Sequence, residues 1–223
     1  MSWPKPHRRF ADRLEAGRVL ASHCDAYRDR GDVIVLALPR GGVPVAYEVA
    51  SALHAPLDVF LVRKLGVPGR EELAMGAVAS GGVLVLNHDV VQLLGLGTDA
   101  MQRVADREGA ELRRRESAYR GARPMPDLAA RTVLLVDDGV ATGASMRAAV
   151  ESVRQHAPGR VVVAVPTAPR SACDELGAVA DEVVCARTPV PFLAVGAHYA
   201  DFTQTTDAEV IELLRRAADK RGG

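Results

Sequence analysis

The chain has 223 residues, with 28 Lys and Arg against 28 Asp and Glu and a hydrophobic fraction of 48%. A chain of that length buries about 70% of its unfolded surface, so neither disulfides nor a structural metal are needed for folding. Zero formal charge argues against broad attraction to nucleic acid or membrane, and no run of about 18 apolar residues predicts a membrane span.

The start, Met1 to His7, is polar and lacks the apolar stretch of a secretion signal. Residues 8–29 carry Phe10, Leu14, Val19 and Leu20 at roughly helical spacing, which predicts an N-terminal helix. Val33 to Leu38 is a continuous apolar run, the pattern of a strand buried on both faces. Pro39-Arg40-Gly41-Gly42 predicts a turn, and residues 43–54 a helix with Pro44 in its first turn. Leu57 to Val62 reads as a second buried strand running into Arg63-Lys64.

Gly and Pro punctuate residues 65–72, which predicts a polar loop, and 74–79 and 83–86 predict short strands joined through Gly81-Gly82. A short helix is expected at 88–94. From Thr98 to Tyr119 the chain is strongly charged and shows no apolar stripe, which predicts a solvated helix or one that packs on a partner. Strands at 132–136, 161–165 and 182–185 alternate with helices at 143–156, 169–178 and 207–217, and residues 187–206 read as irregular. Alternating apolar strands and helices imply an α/β fold, a doubly wound, mostly parallel sheet in one domain over 1–223. Cys24, Cys173 and Cys185 have no metal or redox spacing and read as reduced thiols of a cytoplasmic protein.

The chemistry concentrates after the strand 132–136. Two acids, Asp137 and Asp138, end the apolar run, followed by Gly139-Val140-Ala141-Thr142-Gly143-Ala144-Ser145 and a helix. Adjacent like charges about 4 Å apart repel by about 4 kcal/mol at an effective dielectric near 20, so the pair persists best hydrated or facing donors or a cation. Sugar hydroxyls are donors, and Mg²⁺ prefers oxygen ligands. The loop supplies the opposite chemistry: free N–H groups from Ala141 to Ser145 at a helix N-terminus favour an anion, with hydroxyls from Thr142 and Ser145.

This segment resembles the phosphoribosyl-pyrophosphate (PRPP) motif of type I phosphoribosyltransferases. The resemblance implies that Asp137 and Asp138 hold the ribose hydroxyls, and through substrate and water a Mg²⁺ ion, while Ala141 to Ser145 hold the 5′-phosphate. Pro39, Arg40, Gly41 and Gly42 fall where the family has its pyrophosphate loop, Arg63 and Lys64 where it has a basic residue, and 65–76 where it has a mobile lid. Of Arg63 and Lys64, Lys64 is favoured for the pyrophosphate, being one of only three Lys in the chain. A small variable hood is expected from residues 187–206, with 80–100 as a further candidate, and the N-terminal helix is an addition. The order of elements over nearly the whole chain resembles a group of predicted phosphoribosyltransferases, in particular Arg63-Lys64-Leu65-Gly66 and the stretch Tyr199 to Thr206.

The implied activity is Mg²⁺-dependent transfer of the phosphoribosyl group from PRPP to a nitrogen acceptor, a nucleobase first of all, as in nucleotide salvage. Phe192, Tyr199, Asp201 and Phe202 are the acceptor candidates, since an aromatic face stacks on a base. For each aromatic alone, core packing is the stronger reading. The third acid that 6-oxopurine enzymes of the family carry is Ala141 here, and the Lys-rich lid of the orotate enzymes is absent. The alternative is a module that senses PRPP or a nucleotide without turnover. A DNA-contacting version would show a basic face, and Arg113-Arg114-Arg115 is hemmed by Glu108, Glu111 and Glu116. A homodimer is compatible with the resemblance. No P-loop, dinucleotide fingerprint or serine elbow is present to support a generic nucleotide hydrolase.

Overall fold

A computed structural model describes residues 8–95 and 97–222. The elements are α1 (Arg13–His23), β1 (Val33–Ala37), α2 (Gly42–Leu53), β2 (Leu57–Val59), β3 (Val62–Val67), β4 (Arg70–Ala79), β5 (Val83–Leu86), α3 (His88–Leu93), α4 (Thr98–Arg120), β6 (Thr132–Val136), α5 (Ala144–Arg154), β7 (Arg160–Thr167), α6 (Arg170–Gly177), β8 (Glu182–Arg187) and α7 (Asp207–Gly222). Five strands form a parallel sheet in the order β2-β1-β6-β7-β8, and β3-β4-β5 form a separate antiparallel sheet.

Strand alternation sorts the core onto two faces. Val33, Val35, Leu134, Val136, Val162 and Ala164 pack with α2 and parts of α1, α4 and α7, while Ile34, Leu36, Val133, Leu135, Val161 and Val163 pack with α5 and α6. Ala37 pairs with Val59 and Val136, and Val136 with Ala164. The register therefore ends the central strands level, and it brings the loops after β1 and β6 to one edge of the sheet. Ligand sites of open α/β sheets lie at that edge.

The structure corrects three expectations. The run Leu57 to Val62 is not one strand: β2 stops at Val59, and the chain crosses at Phe60-Leu61 into the second sheet, held by Leu61 N donating to Ser80 Oγ at 2.9 Å. Residues 65–72 are not a loop but the end of β3 and the start of β4, a β-hairpin turning at Pro68-Gly69 with Gly69 at φ +78°, and the strand expected at 74–79 is the rest of β4. The apolar signal there is too short to read, because a bulge at Leu65–Val67 breaks the alternation. Finally, α4 does have a buried stripe: Val104, Leu112 and Tyr119 are buried, with Met101 and Ala105 packed beside them. Part of its charge is exposed, as in the Glu111–Arg114 pair, while Glu108 pairs with Arg63 of β3 and the buried Arg120 with Asp58. These few apolar residues face β3, β4 and α7 and join the larger core cluster.

Residues 188–206 are irregular as expected, apart from one 3₁₀ turn at Val195–His198, whereas within the second hood candidate β5 adds a third strand to the hairpin and α3 follows it. Cys24 is buried, and burial ahead of the nearby Glu182 pushes its thiol up to about 12. No described helix is long and apolar enough to cross a membrane.

Candidate active site

Asp137 and Asp138 follow directly on β6, where the buried strand delivers them to the sheet edge. Asp137 Oδ1 accepts from the Asp138 N–H at 2.8 Å. Asp138 Oδ2 accepts from Arg13 Nε of α1 at 2.8 Å. Each carboxylate thus has one oxygen committed, leaving Asp137 Oδ2 and Asp138 Oδ1 with no hydrogen-bond partner among the described residues. Burial and then the charge of Asp138 push the Asp137 carboxyl well above the usual range. Burial also raises Asp138, and Arg13 partly offsets it.

The loop after β6 is built as an amide cradle. Gly139 and Val140 are buried beneath it, and the Val140 N–H donates to the Thr167 carbonyl at 3.0 Å, so this residue anchors the loop. Gly143 at φ +78° turns the chain into α5, a conformation that costs an L-residue about 1–2 kcal/mol. Ala141, Thr142, Ala144 and Ser145 are exposed, and no backbone hydrogen bond engages the N–H groups of 141–145 among the described residues. Such a helix start presents its donors to an anion.

The loop after β1 closes against the acids. Its Pro39–Arg40 peptide is cis. A Cβ on Gly41 would fall 2.1 Å from Asp138 Oδ2, and one on Gly42 would fall 2.9 Å from Asp137 Cα. Both glycines are required by that close approach. A cleft of ≈ 180 Å³ gathers Pro39, Arg63, Asp137 and Ser145 with two residues of α4, Arg115 and Tyr119. Arg63 is oriented by Glu108 at 2.7 Å, Arg115 by Glu111 at 2.9 Å, and the Tyr119 hydroxyl donates to Asp207 at 2.6 Å. Arg40 is turned toward the same Asp207, at 3.8 Å.

Neighbouring residues of β3 point to opposite faces, so Lys64 does not share this cleft. It lines another of ≈ 560 Å³ between the hairpin and α5, with Asp89, Arg147 and Glu151. The acceptor candidates also divide. Tyr199 is 2% exposed, between Phe10 and Phe202 at ring-centroid distances of 5.5 and 5.0 Å, and its hydroxyl donates to the Asp138 carbonyl. Phe202 carries the Arg13 guanidinium 4.0 Å over its ring. Phe192 lies against His198 at 4.9 Å, and Asp201 accepts from the Thr203 N–H and hydroxyl. Tyr199 therefore offers no open face to a base, and Phe202 is covered on the Arg13 side.

Arg13, Arg115, Tyr119 and Asp207 join the site with little warning from the sequence. The first is 125 positions from its acid partner. The charge run containing Arg115 is the single local signal for any of them, and on one sequence it reads as a solvated face.

The family model for the phosphoribosyl transferase domain matches residues 11–199. Two curated proteins from strains of Mycobacterium tuberculosis, provisionally named as phosphoribosyl transferases, are each 49% identical over 208 residues, 93% of this chain and 47% of theirs. The chain thus spans about half the length of the curated relatives it matches. A crystal structure from Thermus thermophilus is 48% identical, with a TM-score of 0.84 over 93% of this chain and 98% of that one.

Proposed function

This chain belongs to the phosphoribosyl transferase domain family, and from that premise we propose that it transfers the 5-phosphoribosyl group of PRPP to a nitrogen acceptor with release of pyrophosphate. The observation that carries the reading is the pair of uncommitted carboxylate oxygens, Asp137 Oδ2 and Asp138 Oδ1, beside a cradle of N–H donors with no backbone acceptor among the described residues. A vicinal diol brings two hydroxyl donors, one for each oxygen. The 5′-phosphate is an anion suited to the N–H groups of 141–145. The pyrophosphate would extend toward Pro39–Gly42 and the guanidinium of Arg63, whose planar fork suits phosphate oxygens.

In the transfer, the acceptor nitrogen's lone pair forms the bond to C1 as the C1–O bond breaks, and the pyrophosphate leaves with that electron pair. The acceptor's proton is released to solvent. Positive charge grows on the ribose ring, and the two aspartates stabilise it in a site where charges are weakly screened. The hairpin β3–β4, at the position expected of a lid, borders the cleft through Arg63. Exclusion of water there protects the cationic centre from hydrolysis.

Two free carboxylate oxygens are too few to hold Mg²⁺ alone, and no cluster of three or more acidic, His or Cys ligands exists among the described residues. They do fit an ion that arrives with the substrate, because Mg²⁺ is commonly held by one or two carboxylates plus phosphates and water. When bound, the ion would neutralise charge on the leaving pyrophosphate, with Asp137 and Asp138 reaching it directly or through water. A nucleobase is the first acceptor class to test, and Ala141 in place of a third acid favours acceptors that need no carboxylate at that position.

Titration calorimetry with PRPP and Mg²⁺ tests the reading, followed by pyrophosphate release across a panel of nucleobases. Binding with turnover for one acceptor is the expected result. Absence of PRPP binding overturns the reading, and tight binding with no release for any acceptor assigns the site to sensing.

A further inference from the structure

Arg13 lies in the first turn of α1, and its side chain is 11% exposed. The guanidinium is engaged on three sides. Nε donates to Asp138 Oδ2 at 2.8 Å, Nη1 donates to the Thr203 carbonyl at 2.7 Å, and the Phe202 ring lies 4.0 Å from Cζ. Asp138 is held on further sides as well. Its Oδ2 abuts Gly41, and its backbone carbonyl accepts from the Tyr199 hydroxyl. Tyr199 is in turn packed between Phe10, just before α1, and Phe202. Three segments far apart in the chain therefore converge on one carboxylate and leave one of its oxygens free.

We propose that Arg13 is a positioning residue for the ribose site, acting through Asp138. By holding Oδ2 it fixes the rotamer that presents Oδ1 to the sugar. Its positive charge also lets two neighbouring carboxylates face the same diol, which unrelieved repulsion would otherwise drive apart. A guanidinium performs this better than an ammonium, because the planar fork serves the carboxylate and the Thr203 carbonyl at once while its face rests on Phe202. On this account Phe202 and Tyr199 support the arginine and the acid, and they are not the platform for the acceptor. The inference rests on the PRPP reading above.

The test compares PRPP and ribose 5-phosphate, each with Mg²⁺, with inorganic pyrophosphate in metal-free buffer, where no ion links it to the aspartates. Pyrophosphate does not need the aspartates that Arg13 positions. In Arg13→Gln, affinity for PRPP and for ribose 5-phosphate should fall about 10–100-fold, the range of one charge-assisted hydrogen bond, with pyrophosphate within about twofold of wild type. Arg13→Lys should fall between the two proteins. Equal losses for all three ligands would mean that Arg13 merely staples α1 to the domain, and the inference would be overturned, as it would by no loss at all. Should Arg13→Gln lack a cooperative melt, the same comparison on Arg13→Lys decides by the same pattern. Failure of the wild-type protein to bind PRPP strikes the functional reading instead, and the wild type alone reveals it.

Discussion

Asp137→Asn should separate stability from ligand binding. The substitution keeps the shape and the Oδ1 acceptor that takes the Asp138 N–H at 2.8 Å. It removes a carboxyl that burial and the Asp138 charge push well above its ordinary range. With both acids ionised, adjacent carboxylates in an environment of effective dielectric near 20 repel by about 3–4 kcal/mol. Proton uptake by Asp137 and the Arg13 charge cap that cost, so a gain of about 2 kcal/mol at pH 7 is the expected order. For a domain of this size, that raises Tm by about 4–8 °C. The sign with pH follows from linkage. The folded pKa exceeds the unfolded one, so the cost is fully present above the folded pKa and vanishes below the unfolded value, about 3.9. Melting curves by calorimetry or circular dichroism from pH 8 down to about pH 4 should show the variant's advantage shrinking toward zero. PRPP binding should be lost throughout. A variant less stable than wild type at pH 7, or an advantage independent of pH, would refute the account of a destabilised acid pair.

Gly41→Ala would place a methyl 2.1 Å from Asp138 Oδ2, so it should cost about 1–3 kcal/mol in urea unfolding and weaken PRPP binding by displacing the acid. Arg120, 6% exposed, donates to Asp58 at 3.1 Å and to Glu116 at 2.8 Å, so Arg120→Met should destabilise by about 3–5 kcal/mol through the two acids left unpaired. If that variant unfolds at the wild-type urea midpoint, the buried network contributes nothing. Arg63→Met should weaken pyrophosphate binding about tenfold more than Lys64→Met, because Arg63 shares the cleft with Asp137 and Lys64 lines another. Calorimetry returning the opposite order would put Lys64 on the substrate.

The parts of the site that are contiguous in the chain are legible in the sequence alone. Val133 to Ser145 encodes its own geometry: an unbroken apolar run becomes a buried strand, acids cannot continue it into the core, and small residues with a glycine start the next helix. Leu38 to Gly42 is readable for the same reason. The hairpin turn over 65–72 hides in the sequence because its turn and bulge break the two-residue period over which a strand is recognised. The stripe of α4 hides because its buried apolar residues are few and widely spaced among charged ones.

Which side chains meet these loops is decided by packing. The register of β1 on β6 sets Gly41 against Asp138, and the pleat of β3 sends Arg63 to the acids and Lys64 away from them. Arg13 reaches its carboxylate only because α1 docks against α2, β7 and β8 and the late aromatic segment packs beside it. Local sequence sets the conformation of a segment through its own backbone and periodicity. Partnership across 125 residues depends on the sum of all the packing between them, and no window along the chain contains that sum.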